Sequence, residues 1–260
     1  MADVPGAVQD PNRVVAEEVR IRHGSDAVPA YLAAPRDARN SPGIVVIHEA
    51  FGLVEHIRDL ARRFANLGYT AIAPDLYARA GAPDPSNMQS VMTTMFGLPD
   101  AQVIGDLTAA VDHVRGLPSS NGRVGCIGFC SGGRQSLLLA CSGAKLNAAV
   151  DCWGGFITRA SPDAETTANR PEKPLDRLDR LSCPLFGVFG AEDQNPSPQD
   201  AEEMEKRLKA AGKPHRIEVF PNAGHAFLAD YRPSYRPGPA AELWSDLTGF
   251  FAEHLKPGVA

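Results

Sequence analysis

Short apolar runs alternate along this chain with segments whose apolar residues recur every three or four positions. Gly43-Ile44-Val45-Val46-Ile47-His48, Tyr69-Thr70-Ala71-Ile72-Ala73-Pro74, Val124-Gly125-Cys126-Ile127, Ala148-Ala149-Val150-Asp151-Cys152-Trp153, Leu185-Phe186-Gly187-Val188-Phe189-Gly190 and Ile217-Glu218-Val219-Phe220 have strand length. Nearly continuous apolar character over so few residues suits strands covered on both faces. Between them, Ile57, Leu60, Ala61, Phe64 and Leu67 fall at helical spacing, and Gly68 stops that helix. Val103, Ile104, Leu107, Ala110, Val111 and Val114 mark a helix over 101–116, and Leu243, Trp244, Leu247, Phe250, Phe251 and Leu255 mark a closing helix over 239–255. Residues 135–140 and the charge-rich 198–211 also read as helical. Glu18–Arg22 alternates, Gly24-Ser25-Asp26 turns, and Val28–Ala33 returns, which predicts an antiparallel hairpin at a sheet edge.

Strands alternating with helices predict an α/β fold: a mostly parallel sheet with helices on both faces. Residues 79–99, rich in Gly, Pro and Met, are an excursion over the sheet edge with a short helix at 88–96. Residues 158–182 read as a Pro- and charge-rich loop. Residues 1–12 read as a flexible polar tail and 13–260 as a single domain, with no repeat or linker dividing it.

Composition narrows the function classes. The chain has 260 residues, 43% hydrophobic and 22% charged, with a formal net charge of −5. That is enough apolar material for one substantial core. A net negative charge, with no basic run longer than Arg62-Arg63, gives no nucleic-acid surface. No apolar stretch has the length of a membrane span, and the first residues carry no secretory pattern. The five cysteines are odd in number, mostly in apolar strand- or helix-like segments and without a C-x-x-C pair. Reduced thiols in the cytoplasm are therefore expected, rather than a disulfide scaffold or a zinc site.

The chemistry centres on Gly128-Phe129-Cys130-Ser131-Gly132-Gly133, directly after an apolar strand. This is G-x-S-x-G with cysteine in place of serine: a sharp strand-to-helix turn that exposes a nucleophile, with small residues two before and two after it. A helix beginning there aims its positive end at Cys130 and favours a thiolate. A buried cysteine in a glycine-rich turn is the plain alternative. Such an elbow needs an acid and then a histidine downstream. Asp193 follows the strand Leu185–Gly190, with Glu192 as competitor, and His225 lies in Gly224-His225-Ala226-Phe227 after the last strand. Both stand in the required order at strand ends, predicting a Cys130–His225–Asp193 triad. His23, His56, His113, His215 and His254 lack a matching acid in the sequence and read as solvated or packed.

Together with His48-Glu49-Ala50-Phe51-Gly52 and Pro74-Asp75-Leu76-Tyr77-Ala78-Arg79, these motifs resemble the dienelactone hydrolase family over about Val28–Leu255. The resemblance implies the α/β-hydrolase fold and a carboxylic-ester or lactone hydrolase without metal or organic cofactor. It implies that Glu49 contacts Cys130 and helps deprotonate it, and that the N–H groups of Ala50 and Ser131 form the oxyanion hole. It also implies that arginines hold a substrate carboxylate. Arg79 matches the first; Ala229 stands where the second is expected, leaving Arg232 or Arg236 to reach in. Trp153 is a pocket-lining candidate or a core residue. A His48-Glu49 metal site fails because residue 52 is glycine. The alternatives are a broad small-ester esterase, discriminated by substrates with and without a carboxylate, and a non-catalytic binding protein. The expected partner is a small ester or lactone, and the chain is expected to be a monomer or small homo-oligomer.

Overall fold

Alternation within the buried strands sorts the core into two layers. Ile44 and Val46 face one side of the sheet, Val45 and Ile47 the other, because successive strand side chains point to opposite faces. The structure is a computed structural model that describes residues 4–256. Its sheet contains β1 (Val14–His23), β2 (Asp26–Pro35), β3 (Ser41–Ile47), β4 (Thr70–Pro74), β5 (Ser120–Phe129), β6 (Ala148–Cys152), β7 (Leu185–Gly190) and β8 (His215–Phe220). The spatial order is β1-β2-β4-β3-β5-β6-β7-β8. β1 and β2 pair antiparallel, as do β2 and β4, and the remaining pairs are parallel.

Helices α1 (Glu55–Asn66) and α6 (Pro237–Leu255) cover one face, through Ile57, Leu60, Phe64, Leu243, Trp244 and Phe251. Helices α3 (Asp100–Arg115), α4 (Ser131–Ala140) and α5 (Pro198–Ala210) cover the other, through Val103, Leu107, Leu137, Met204 and Leu208. Helix α2 (Met88–Gly97) packs apart from both, with Val91 and Met95 against Ala50. Local chemistry starts two of these helices. Ser197 and Asp200 form a reciprocal capping box on α5, and Asn87 accepts the Ser90 N–H at the start of α2.

The predicted hairpin is longer than its alternation suggested, running from Val14↔Pro35 to His23↔Asp26. The 158–182 segment is not wholly loop. It contains a 3₁₀ helix, Pro174–Arg180, that buries Leu175 and Leu178 among charged neighbours, a spacing too short to register as helical periodicity. The first part of the polar tail, residues 1–3, lies outside the described residues. Its remainder is tied down: Pro5 O accepts from Arg63 Nη1 at 3.1 Å, and Gly6 sits where a Cβ would be 2.3 Å from Trp244.

What positions the chemistry is the passage from β5 into α4. A Cβ on Gly128 would lie 1.9 Å from Gly132 O, and one on Gly132 would lie 2.4 Å from Ile47 O. Both obstacles are backbone, which cannot swing aside. Gly128→Ala or Gly132→Ala is expected to lower stability by about 3 kcal/mol, the upper end of overpacking costs. Gly97→Ala, with nothing within 4 Å, is expected to be near neutral. Urea denaturation of the three variants checks the difference.

Candidate active site

The parallel strands end together on one side of the sheet, where open α/β sheets collect ligands. Ala50 follows β3, Cys130 follows β5, Asp193 follows β7 and His225 follows β8. All four line a cavity of about 430 Å³, together with residues of α2 and of the 155–170 segment.

Cys130 adopts φ 56°, ψ −120°, a region that costs an L-residue free energy and persists only where its surroundings enforce it. The glycine contacts enforce it here, and the Cys130 N–H donating to Cys152 O at 3.0 Å ties the turn to β6. The half-buried thiol thus sits at the N-terminus of α4, within reach of its dipole. Its helix is anchored by Arg134, whose guanidinium makes two bonds to the Asp100 carboxylate, at 2.6 and 3.0 Å.

His225 Nδ1 donates to Asp193 Oδ2 at 2.7 Å. Asp193 is buried and also accepts the Asn195 N–H, at 3.0 Å. Glu192, the competing acid, is exposed. Burial opposes charge on the imidazole, but the Asp193 hydrogen bond and the neighbouring Cys130 sulfur outweigh it and lift His225 to about 10. Asp193 and the neighbouring Cys130 sulfur thus hold His225 toward its cationic form.

The N–H groups of Ala50 and Ser131 donate to no protein acceptor among the described residues. His48 sets the direction of the first. It is fully buried, and that burial holds it neutral. Nε2 accepts the Leu76 N–H at 3.2 Å, so Nδ1 carries the proton and donates to Glu49 O at 2.7 Å. Gly52 N–H also donates to Glu49 O, at 3.1 Å. A trans peptide carries its C=O and N–H on opposite edges, so pinning Glu49 O turns the Ala50 N–H the other way.

Several expectations need correcting. Glu49 is buried, but its carboxylate accepts from Tyr231 OH at 3.0 Å and Arg232 Nη2 at 2.9 Å, and no hydrogen bond joins it to Cys130. Arg232 does line the cavity, stacked over Phe51 at 4.7 Å. Arg79 does not: it lies along a separate surface cleft and pairs with Asp26 and with buried Asp106. Trp153 is a core residue, packed between Phe129 and Phe227. Among the described residues the Arg236 side chain donates only to the nearby carbonyls of Pro233 and Tyr235. Two histidines read as lacking an acid have one: His23 meets Asp106 at 2.7 Å and His56 meets Asp230 at 3.3 Å. Arg63 also grips Asp230, at 2.6 Å, which braces the segment carrying Tyr231 and Arg232 against α1. Arg134 and Arg170 line the cavity and were not anticipated. Their signal is tertiary, since neither lies in a recognisable motif role.

The sequence profile of the dienelactone hydrolase family matches residues 28–255. The chain belongs to the dienelactone hydrolase family. It is a hydrolase of ester bonds, the class that includes lactones. Among its relatives is a "Putative carboxymethylenebutenolidase" of Methylorubrum extorquens, 39% identical over 94% of this chain and 83% of that protein. A protein of the same name from Escherichia coli K12 is 39% identical over 95% of this chain and 90% of that one. Among solved structures, a "Putative Dienelactone Hydrolase" from Klebsiella pneumoniae superposes with a TM-score of 0.84 at 37% identity, covering 92% of this chain and 99% of that one.

Two outcomes follow from the site's charges. Asp193 raises the His225 pKa, so the protonated form persists up to about pH 10. In Asp193→Asn the alkaline limb of kcat/KM is expected to move to lower pH, toward the ordinary histidine value, and the pH–rate profiles of the two proteins read this directly. Arg79→Met is expected to leave KM unchanged while costing about 1.5–3 kcal/mol in chemical denaturation, because buried Asp106 loses a charge-assisted partner.

Proposed function

We propose that the chain is a cytoplasmic, single-domain lactone hydrolase of carboxymethylenebutenolidase type, working through Cys130, His225 and Asp193 and a thioester intermediate. One observation carries this reading: a cysteine strained at a strand-to-helix turn shares a cavity with a histidine bonded to a buried aspartate. The family supports it, since its members carry the same reaction class in their names.

The protonation state of His225 shapes the steps. An imidazolium cannot take the thiol proton, so that proton goes to Glu49, the buried carboxylate on the turn after β3, whose Oε1 is left open because Tyr231 and Arg232 both bond Oε2. The thiolate sulfur attacks the lactone carbonyl carbon. Charge develops on the carbonyl oxygen, facing the Ala50 and Ser131 N–H groups. His225 gives its proton to the departing ring oxygen, leaving a thioester on Cys130. Neutral His225 then takes a proton from water as that water attacks the thioester. The sulfur leaves, recovers its proton from Glu49, and the opened acid departs. Asp193 keeps the imidazole oriented throughout.

The apolar cavity wall of Phe51, Val91, Met92, Met95 and Phe156 favours a second reading, a broad small-ester esterase using the same residues. Hydrolysis of carboxymethylenebutenolide beside an uncharged aryl acetate separates the two.

Cys130→Ala is expected to lose turnover by at least about 10³-fold, the scale of removing a nucleophile, and mass spectrometry of quenched wild type is expected to show an acyl adduct on the Cys130 peptide. Full activity in Cys130→Ala would overturn the mechanism. Glu49→Gln is expected to lower kcat with His225 intact. An unchanged rate would remove Glu49 as the proton acceptor.

A further inference from the structure

Four cationic side chains line the cavity: Arg134, Arg170, Arg232 and His225. Three face a carboxylate, through the Arg134–Asp100, Arg232–Glu49 and His225–Asp193 pairs. Arg170 has none among the described residues. It is 97% buried, being 3% exposed. Nη1 donates to Ala160 O at 2.9 Å and Nη2 to Met95 O at 2.5 Å, while its face stacks on Phe96 at 4.7 Å. Its Nε–H has no acceptor among the described residues.

Two further buried donors nearby share this condition. Ser131 Oγ, beside the nucleophile, and Tyr77 OH, whose ionisation responds to both Cys130 and Arg170, reach no partner beyond each other among the described residues. Buried polar groups are nearly always satisfied, and an isolated ion in a low-dielectric setting costs several kcal/mol. The carbonyls of Ala160 and Met95 explain how Arg170 ties the 158–170 segment to the end of α2. They supply dipoles and leave the full positive charge without a bonded carboxylate, since Asp100, whose charge reaches it, is itself bonded to Arg134. Burial and the nearby Arg134 charge accordingly pull its pKa down to about 10.

We propose that Arg170 is the anion anchor of this enzyme, receiving a carboxylate carried by the same substrate whose ester bond is opened at Cys130, with the Ser131 and Tyr77 hydroxyls as additional donors. This rests on the hydrolase reading and moves the anchor away from Arg79, which is committed to Asp26 and Asp106. Arg232 is a weaker choice, because an incoming carboxylate would have to displace Glu49. At Arg170 it displaces no carboxylate.

The test compares carboxymethylenebutenolide with its methyl ester, the same ring without the negative charge. In wild type the ratio of kcat/KM values favours the acid. In Arg170→Gln that ratio is expected to fall on the order of 10- to 100-fold, mostly through KM for the acid, the scale of one charge-assisted hydrogen bond. Arg170→Lys, which keeps the charge and loses the planar fork, is expected to recover part of it. A ratio unchanged in Arg170→Gln, whether both substrates suffer equally or neither does, overturns the proposal and leaves Arg170 as a tie between segments. Calorimetry on Cys130→Ala, with and without Arg170→Gln, reads binding of both compounds without turnover. If wild type opens neither compound, the hydrolase reading fails, yet tighter binding of the acid that disappears with Arg170→Gln still supports the anchor. If Arg170→Gln does not fold, Arg170→Lys decides: a wild-type acid preference in that variant overturns the assignment.

Discussion

At the junction of β5 and α4 two backbones pass at a distance that no Cβ allows. Gly128 lies against the Gly132 carbonyl, and Gly132 against the carbonyls of Ile47 and His48 at the end of β3. This contact has three consequences. It forces Cys130 into a positive-φ conformation. It directs the N-terminus of α4 at the sulfur, with Ser131 N–H as a free donor. And it sets the turn after β3, with Glu49 and Ala50, directly beside the elbow. The strained Cys130 turn, the helix dipole and the unpaired Ala50 and Ser131 N–H groups are thus one packing arrangement.

Around that arrangement the protein spends charge in pairs. The cavity wall is largely apolar, and an apolar wall makes every unpaired charge costly and every pair strong. Asp100 holds Arg134 and so the elbow helix; Asp193 holds His225; Arg232 and Tyr231 hold Glu49. Outside the cavity, Asp230 between Arg63 and His56 keeps the Tyr231–Arg232 segment in place. Against this background Arg170 is conspicuous in physical terms, because the same surroundings that give its neighbours a bonded carboxylate give it none among the described residues.

Much of this was legible in the chain. Strand-length apolar runs and helical spacing located the parallel strands and the principal helices, since burial on one or both faces writes itself into periodicity. The order Cys130, Asp193, His225, each just past an apolar run, was legible for the same reason: strand ends are marked by where the apolar run stops. The 3₁₀ helix at Pro174–Arg180 was not legible, because so short a segment buries only Pro174, Leu175 and Leu178. The anchoring of Pro5 and Gly6 was also hidden, since it depends on Arg63 and Trp244, far away in sequence.

The partners of the charged residues divide the two levels most clearly. Arg79 stands in a motif that suggests a substrate clamp, yet the β1–β2 turn and α3 bring Asp26 and Asp106 to it first. Trp153 stands at a strand end that suggests a pocket wall, yet its ring is closed in by Phe129 and Phe227. Arg170 stands in an unremarkable loop and arrives in the cavity. The sequence by itself determined the sheet, the elbow and the order of Cys130, Asp193 and His225 at the strand ends, because those follow from local sterics and the period of burial. Which carboxylate meets which arginine, and which arginine is left without one, was decided only by the tertiary structure, because an ion pair is chosen by distance in space and carries no trace in spacing along the chain.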